Sequence, residues 1–212
     1  KEKFFFTSNK RNPKFIDLYQ MDINSFNSKL IFKNDEALNI SDISRDEKFV
    51  VLSKTYTRDN SDIFLYDINN NQLQKVLYDM NDVNHRPTGF SLDSKSIYFL
   101  TDLDSEFNYL KKYNFESKKI ELVQQENWDI VNNYFTENGN YRISTINEDS
   151  QTKIKIFDIK NNNMLMLPNL NNGFISSVNI SDSENKLSFY HGGARSPNDL
   201  YFKNIKGDKV KK

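Results

Sequence analysis

The sequence contains no cysteine among its 212 residues, which excludes a disulfide framework and a thiolate metal site. It has two histidines, so a zinc site would need carboxylates gathered from several parts of the chain. Its six glycines, at positions 89, 139, 173, 192, 193 and 207, offer no G-x-S-x-G nucleophile elbow of a serine hydrolase. We therefore expect no catalytic, cofactor-binding or metal-binding residue in this chain.

The sequence also lacks net charge and long apolar runs. Its 29 Lys and Arg residues balance 29 Asp and Glu residues, which removes the electrostatic attraction toward nucleic acid or an anionic membrane. No apolar run is long enough to cross a bilayer, so we expect neither a nucleic-acid partner nor a membrane span. The chain begins inside a strand pattern without Met, and we expect it to start within a longer protein. Cytoplasmic and periplasmic locations both stay open.

The sequence is rich in short apolar runs, with 17 Phe and 11 Tyr residues. The clearest unit has four predicted strands separated by polar turns: Thr88–Ser91, Ser96–Leu100, Tyr109–Phe115 and Lys119–Val123. Four strands in so short a span are typical of one blade of a β-propeller. Apolar residues keep no helical period over three turns, so we expect very little helix.

Two sequence markers repeat this unit along the chain. A polar turn begins at Ser44, Ser91, Thr136 and Ser181, which are 47, 45 and 45 residues apart. A second marker, Asp or Asn followed in each case by Ile or Phe, closes the third strand at Asp22, Asp67, Asn114, Asp158 and Asn204. A shared period of about 45 residues is that of propeller blades. We predict an all-β propeller of four-stranded antiparallel blades, with units near 1–34, 35–80, 81–125, 126–170 and 171–212.

The repeat predicts that the end units are incomplete. The first unit starts at its second strand, Lys3–Thr7, and the last stops near the start of its fourth, Lys209–Lys212. About five blades are therefore present, and we expect an open or imperfectly closed ring. An uncovered apolar blade face would favour self-association.

One face of the predicted blades is the better candidate for binding. The loops between the second and third strands are expected to be the longer ones: Ser8–Lys14, Lys54–Ser61, Thr101–Asn108, Ile146–Thr152 and His191–Asn198. Such loops often carry function on a rigid scaffold. The residues that we expect to face a substrate or partner are Arg11, Arg58, Asp104, Glu106, His191 and Arg195, with Asp102 and Glu148 in the same loops. The alternative is that these loops are solvated turns.

Three further patterns favour structural interpretations. The acidic run from Asp102 to Glu106 alternates as calcium loops do, but it lacks their glycine and distal Glu. The His191–Gly193 run is like an oxyanion motif, yet no nucleophile follows it. Trp128 is expected to be a buried aromatic residue.

The segment GFSLDSKSIYFLTDLDSEF, beginning at Gly89, resembles the repeat of TolB-type propellers and of the N-terminal propeller of the prolyl oligopeptidase family. The ordered series of motifs from Trp128 through Pro168 to Tyr201 is similar to bacterial members of that peptidase family. The family's proline is missing from all four polar turns, and its glycine survives only at Gly139.

The resemblance implies a function that this chain would not perform alone. In that family the propeller stands over an α/β-hydrolase domain with a Ser-Asp-His triad and filters the peptides that enter. The chain would then be a noncatalytic propeller portion, with a peptide substrate or a hydrolase domain of the same protein as its partner. The alternative is a TolB-type protein-binding scaffold. A propeller enzyme with its own central pocket ranks last, because no acid, base or metal cluster is recognisable.

Overall fold

The protein is described here by a computed structural model that covers residues 2–78 and 82–212. These residues form nineteen strands and no helix, which confirms the predicted all-β class. Consequently, no helix within the described ranges is long and apolar enough to cross a membrane.

The strands form five antiparallel sheets, each of which is one blade. Sheet 1 contains β1 (Lys3–Ser8), β2 (Asp17–Asp22) and β3 (Ser28–Phe32). Sheet 2 contains β4 (Asn39–Ile43), β5 (Phe49–Thr57), β6 (Asn60–Asp67) and β7 (Gln72–Leu77). Sheet 3 contains β8 (Arg86–Phe90), β9 (Ser96–Thr101), β10 (Tyr109–Asn114) and β11 (Ile120–Gln124). Sheet 4 contains β12 (Asp129–Phe135), β13 (Tyr141–Glu148), β14 (Gln151–Asp158) and β15 (Asn163–Leu165). Sheet 5 contains β16 (Phe174–Ile180), β17 (Lys186–Gly193), β18 (Ser196–Asn204) and β19 (Val210–Lys211).

The sheets belong to two compact units. Unit 1 comprises Lys1–Asp104 and Lys111–Val123, and unit 2 comprises Ser105–Leu110 and Gln124–Lys212. Unit 1 has two apolar cores, one containing Leu18, Val50 and Leu52 and the other containing Val51, Ile97 and Phe99. Unit 2 has one core, in which Ile143 and Ile156 of sheet 4 pack with Phe189 of sheet 5. Each core fills the space between two consecutive sheets, as stacked blades require.

The first sequence marker is a turn closed by a hydroxyl group. Its Ser or Thr accepts a hydrogen bond from the backbone N–H that opens the next strand, as in the 2.9 Å bond from Phe49 N to Ser44 Oγ. The same bond recurs at the other three turns, at 3.0 to 3.2 Å. A backbone N–H three residues on also donates to the carbonyl of that Ser or Thr in all four turns. This shared geometry explains why the four positions need a hydroxyl side chain.

The missing family glycine has a structural explanation in these turns. The fourth residue of each turn has a left-handed backbone, with φ of 57° at Glu47, 59° at Ser94, 69° at Gly139 and 51° at Glu184. Glycine adopts that conformation at least cost. The three other side chains instead reach the preceding sheet: Glu47 pairs with Lys3, Ser94 Oγ accepts from Asp46 N, and Glu184 accepts from Thr136 and Asn140. Within each unit, neighbouring turns therefore lie on one face, as predicted.

The second marker is an Asx turn that ends the third strand. Asp22 Oδ1 accepts from the backbone N–H groups of Asn24 and Ser25, and Asp67 and Asn114 make the equivalent pairs of bonds. The following Ile or Phe then donates its backbone N–H across the sheet, as Ile68 does to Lys48 O at 2.8 Å. The carboxylate or amide thus stabilises the turn that leads to the last strand of each sheet. This is the physical reason why an Asp or Asn recurs at that position.

Phe26 is the one bulky aromatic residue among the left-handed positions of these hairpin turns. Its φ is 55°, its side chain is 73% exposed, and the equivalent residues are Asn71, Lys118 and Asn162. A left-handed backbone disfavours residues with a Cβ, but asparagine tolerates it. We expect Phe26→Asn to raise the free energy of unfolding by about 1 kcal/mol, measured by urea denaturation.

The reciprocal substitution provides the control for that prediction. Asn162 is exposed and has the same left-handed backbone. Asn162→Phe should lower stability by a similar amount. If Phe26→Asn were destabilising, the strain assigned to this turn would be absent.

The outward face of sheet 5 exposes apolar side chains that are buried at the equivalent positions of earlier sheets. Tyr190 is 46% exposed, and Leu200 and Phe202 of β18 are 52% and 44% exposed. The equivalents of Leu200 and Phe202 in sheet 2 are Ile63 and Leu65, which are 0% and 8% exposed within a core. We call the surface formed by Tyr190, Leu200 and Phe202 the β18 face.

Sheet 1 carries an aromatic surface on its other side, equivalent to the side of sheet 5 that faces away from Leu200 and Phe202. Phe6 stacks on Tyr19 with ring centroids 5.4 Å apart, and Phe4, which is 45% exposed, lies beside Phe6. Lys10 Nζ lies over the rings of Tyr19 and Phe6, 4.1 and 5.8 Å from their centroids, and Tyr19 is only 5% exposed. Phe189 and Tyr201 form the equivalent stacked pair in sheet 5, at 5.7 Å, and Phe189 belongs to the core against sheet 4. We call the surface of Phe4, Phe6 and Tyr19 the β1 face.

Candidate functional site

The connections between second and third strands differ from the sequence prediction in three sheets. The segments predicted as longer loops at Lys54–Ser61, Ile146–Thr152 and His191–Asn198 are mostly strand. Their strands end in two-residue turns at positions 58–59, 149–150 and 194–195. These strands continue beyond their apolar central residues into the polar residues that were predicted to form loops. The stretches between Ser8 and Asp17 and between Thr101 and Tyr109 are loops, as expected.

Arg11 is held by its own sheet. Its guanidinium donates to both carboxylate oxygens of Asp17, at 2.7 and 2.8 Å, and to Asn34 O at 3.0 Å. It also pairs with Asp35 at 3.0 Å. The hydrogen bonds from Arg11 are the largest cause of a lowered pKa at Asp17, and they outweigh the opposing effect of burial. Arg11 therefore fixes the loop before β2, and about a quarter of its side chain stays exposed.

The other predicted residues of unit 1 lie at the surface. Arg58 is exposed in the β5–β6 turn, and its carbonyl accepts from Asn84 Nδ2 at 3.4 Å. Asp104 is exposed with a left-handed φ of 56°. Asp102 accepts from Asn84 N at 2.9 Å. The structure thus uses Asp102 to fix a loop and leaves Arg58 and Asp104 facing solvent.

In unit 2, Glu106, Glu148 and Arg195 are exposed, whereas His191 is buried in β17. The residues that are described contain no group of three His, Cys, Asp or Glu side chains suited to a metal. Among the predicted residues of this unit, His191 lines a cavity. The run from His191 to Gly193 is strand, with no oxyanion-type turn.

Trp128 is less buried than the sequence suggested. Its ring is 38% exposed and lies against Phe107, with centroids 5.8 Å apart. The next residue, Asp129, accepts from Asn108 N and Nδ2 at 2.9 and 3.0 Å. The expectation of a buried aromatic was wrong, because Trp128 covers the outside of a loop that Asp129 secures.

Unit 2 contains a cavity of about 230 Å³ between sheets 4 and 5, which we call the His191 cavity. It is lined by residues 151–154 of β14, residues 167–170 of the β15–β16 connection, residues 173–175 at the start of β16, and His191. Leu167, Leu170 and Ile175 also pack against the core beneath it. The cavity lies beside the β17–β18 hairpin, on the face that the sequence analysis favoured.

His191, which lines the cavity, carries a buried polar atom. It is 9% exposed, and its Nε2 atom is buried without a hydrogen-bond partner among the described residues. The ring stands edge-on to Tyr201, with centroids 6.0 Å apart. A buried polar atom left unpaired costs free energy. Nε2 of His191 has almost no accessible surface, so a ligand in the cavity would not touch it without a movement of the ring. The sequence predicts His191 as a candidate residue in a loop, whereas the structure places it in strand β17.

Two glycines allow the backbone to close around this cavity. A Cβ added at Gly173 would lie 2.4 Å from Gly192 O and 2.9 Å from His191 Cε1. A Cβ at Gly192 would lie 2.3 Å from Asn198 Oδ1 and 2.8 Å from Pro197 O. Atoms do not approach this closely without displacement, so the start of β16 depends on glycine to lie against β17.

Gly173→Ala should therefore destabilise the protein. Because the clash is with backbone, we expect a loss of about 2 kcal/mol in the free energy of unfolding, measured by urea denaturation. Gly207→Ala is the matched control, since its added Cβ would meet its nearest neighbour at an ordinary 3.6 Å. Equal stability of the two variants would contradict the close approach described here.

Asp42 is a titratable residue that the sequence analysis missed. It lies in β4 beside a break in strand register and accepts hydrogen bonds from Phe90 N at 3.0 Å and Ile43 N at 2.8 Å. Burial raises the pKa of Asp42 and outweighs both hydrogen bonds. A Cβ at Gly89 would lie 3.1 Å from its carboxylate, so Gly89 makes room for it. No repeated marker distinguishes this acid in the sequence.

Comparison with solved structures identifies proteins with similar folds. A prolyl endopeptidase, from a study of two such enzymes and their inter-domain dynamics, aligns with 99% of this chain and 33% of its own, at 11% identity and a TM-score of 0.71. Oligogalacturonate lyase from Vibrio parahaemolyticus aligns with 99% of this chain and 61% of its own, at 15% identity and a TM-score of 0.70. TolB from Acinetobacter baumannii aligns with 92% of this chain and 48% of its own, at 17% identity and a TM-score of 0.63.

The chain therefore spans between one third and three fifths of the length of these proteins. At these identities the similarity shows the fold. No curated protein matches the sequence. The model of the prolyl oligopeptidase N-terminal β-propeller domain matches residues 1–212. With five sheets of the blade type and a family match over its whole length, the chain belongs to the prolyl oligopeptidase N-terminal β-propeller family.

Proposed function

We propose that this chain is the noncatalytic propeller portion of a prolyl-oligopeptidase-type serine peptidase, and that it limits or guides the access of peptides to a hydrolase domain. The observation that carries the proposal is the family match over residues 1–212. The similar prolyl endopeptidase is about three times as long as the part that aligns with this chain, which leaves room for a catalytic domain in a protein of that size.

Active-site labelling tests this proposal. A fluorophosphonate probe labels the nucleophile of serine hydrolases, which needs a neighbouring base to react. We expect the protein that carries this propeller to be labelled at a serine outside residues 1–212 and to cleave a prolyl-peptide reporter. The 212-residue chain alone should be neither labelled nor active. Reproducible turnover by the chain alone, retained in His191→Phe, would contradict the proposal.

The second candidate is a TolB-type protein-binding scaffold without a hydrolase domain. The observation in its favour is the alignment of 92% of this chain with TolB from Acinetobacter baumannii. It predicts that the parent protein remains unlabelled by the same probe and lacks a G-x-S-x-G motif beyond Lys212. The labelling experiment therefore separates the two candidates.

A further inference from the structure

Among the described residues, sheet 1 lacks the strand that comes first in every other sheet. It consists of β1, β2 and β3, whereas the other sheets each begin with a further strand, which is β4, β8, β12 or β16. The residue paired with the Asx-turn residue is Lys3 in sheet 1 and Phe49 in sheet 2, so β1 is equivalent to β5. The free edge of β1 is therefore the position that a first strand fills in the other sheets.

The backbone of β1 presents hydrogen-bonding groups along this edge. Ile23 N donates to Glu2 O at 2.9 Å, and in an antiparallel pair the residues that bond to the partner strand alternate with residues that do not. The N–H and C=O groups that face the free edge are those of Lys3, Phe5 and Thr7. The side chains of Lys3 and Thr7 are exposed, so an incoming strand can reach this edge.

The other four sheets show which groups such an edge binds. The residue equivalent to Lys3 accepts, through its carbonyl, from the N–H of the Ser or Thr that follows the first strand, at 2.8 to 3.0 Å. Its own N–H donates to the hydroxyl of that Ser or Thr, at 2.9 to 3.2 Å. An apolar residue precedes the hydroxyl residue in all four sheets: Ile43, Phe90, Phe135 and Ile180. The edge thus matches an extended segment in which an apolar residue is followed by Ser or Thr.

Glu47 supplies a second contact for that hydroxyl group. In unit 2 the equivalent turn residue, Glu184, accepts a hydrogen bond from the hydroxyl of Thr136, which follows the first strand of the preceding sheet. Glu47 occupies the same position beside sheet 1, pairs with Lys3 Nζ at 2.5 Å and keeps 35% of its side chain exposed. Its carboxylate is therefore available to a hydroxyl group on a strand added to β1.

We propose that the free edge of β1 binds an extended segment of a partner protein, antiparallel to β1, in which an apolar residue precedes a Ser or Thr. Backbone bonds to Lys3, Phe5 and Thr7 provide the affinity, and the contact of the hydroxyl with Glu47 provides the sequence preference. An added strand also covers an edge that would otherwise pair without selection. The inference goes beyond the proposed function, since it holds with or without a hydrolase domain.

The strand that fills this position in sheet 5 provides the probe. It is a peptide of residues 175–182, ISSVNISD, with both ends blocked, and its matched control carries Ser181→Ala. Binding is followed through the backbone amide NMR signals of the isotope-labelled chain, at a concentration at which sedimentation shows a monomer. We expect saturable shifts that are largest at Lys3, Phe5 and Thr7 and smaller at the residues between them. The alanine peptide should bind at least about 5-fold more weakly, because it lacks the hydroxyl hydrogen bonds.

Two pairs of variants separate the backbone contacts from the hydroxyl contact. Thr7→Pro removes an N–H that faces the edge, so it should abolish binding and leave pairing with β2 intact, whereas Thr7→Val should bind as the wild type does. Glu47→Gly removes the carboxylate without straining a left-handed turn position, so it should weaken the serine peptide and leave the alanine peptide unchanged. Ser94→Gly is its matched control, because Ser94 has the same turn position but contacts Asp46 of sheet 2. Both peptides should bind Ser94→Gly as they bind the wild type.

Three results would overturn the inference: no saturable shift, shifts that do not alternate along β1, or equal affinity for the serine and alanine peptides. If Thr7→Pro were unfolded in urea denaturation, the comparison of Glu47→Gly with Ser94→Gly would still decide. Binding by the 212-residue chain but not by the parent protein would also overturn it, because the parent's own chain would then cover the edge. A parent labelled by the fluorophosphonate probe without peptide binding at this edge would remove the edge site and retain the peptidase function.

Discussion

Asp17→Ala is expected to lower the free energy of unfolding by about 3 kcal/mol, the largest effect of any single substitution proposed here. The Asp17 side chain is 0% exposed and accepts four hydrogen bonds, two from Arg11, one from Asn34 N and one from Tyr19. Alanine would leave the backbone N–H of Asn34 buried without that carboxylate. Urea denaturation followed by the fluorescence and far-UV signals of the chain measures the change.

Asp35→Ala is the matched control for this prediction. Asp35 also pairs with Arg11, at 3.0 Å, but its side chain is 49% exposed. Exposed ion pairs contribute little, so this variant should be as stable as the wild type within error. Equal losses in the two variants would show that Asp17 is not the centre of the cluster.

The pH dependence gives an independent check on Asp17. Its pKa is lowered in the folded protein, chiefly by the hydrogen bonds from Arg11. A lowered pKa contributes stability that is fully present above the unfolded value of about 3.9 and is lost as the pH falls through the folded value. The stability difference between wild type and Asp17→Ala should therefore be constant from neutral pH to about pH 5 and shrink in stronger acid. A difference that grew in acid would contradict the assignment.

The second large effect concerns self-association, which we propose occurs head to tail between the β18 face of one copy and the β1 face of another. Equivalent positions within the repeat support this arrangement. Ile154 and Ile156 of sheet 4 correspond to Leu200 and Phe202, and they pack in a core with Phe189 of sheet 5. The β1 face carries the same stacked pair as Phe189 and Tyr201, so it would cover a β18 face in the same way once the Lys10 ammonium, which lies over both rings, moves aside.

The double substitution Leu200→Lys with Phe202→Lys should weaken this association at least about 10-fold, because it buries charge in an apolar contact. Sedimentation velocity from low micromolar to submillimolar concentration measures it. Leu122→Lys is the control, since Leu122 is 59% exposed on β11 and belongs to neither face. This control should associate as the wild type does.

Mixing two variants tests the head-to-tail arrangement. Phe4→Lys disables the β1 face, and the double variant disables the β18 face. Each variant alone should be monomeric, and the mixture should form dimers because each partner retains one face. A wild-type chain that stays monomeric at all concentrations, or association of Phe4→Lys with itself, would contradict the proposal.

The repeat of the fold could be predicted because its markers have local causes. Ser44 and Asp67 close turns through hydrogen bonds to backbone groups within five residues, so their spacing records the turns directly. The strand lengths beyond those turns could not be predicted in the same way. The stretch from Lys54 to Thr57 contains little apolar character, yet it pairs with β6 as far as the turn. Backbone pairing, which the side chains do not reveal, extends those strands.

The candidate site depended on contacts that are distant in sequence. Asp17 lies six residues after Arg11, but the other partners of Arg11, Asn34 O and Asp35, come from a loop more than 20 residues away, so the cluster that holds its charge could not be read from the sequence. His191 was recognised as a candidate, but its burial results from sheet 4 and from the close approach of Gly173 to Gly192. A glycine at each of those positions was visible in the sequence. Their pairing across two strands was not, because it requires the register of β16 and β17.

The most direct test of the account is the dependence of peptide cleavage on peptide length in the protein that carries this propeller. A series of prolyl peptides with one cleavage site and increasing length should be assayed for kcat/KM, with the 212-residue chain alone as the comparison. We predict that kcat/KM falls steeply beyond short peptides and that the chain alone cleaves none of them. Cleavage of long peptides and folded proteins as efficiently as short ones would contradict a role for the propeller in limiting access.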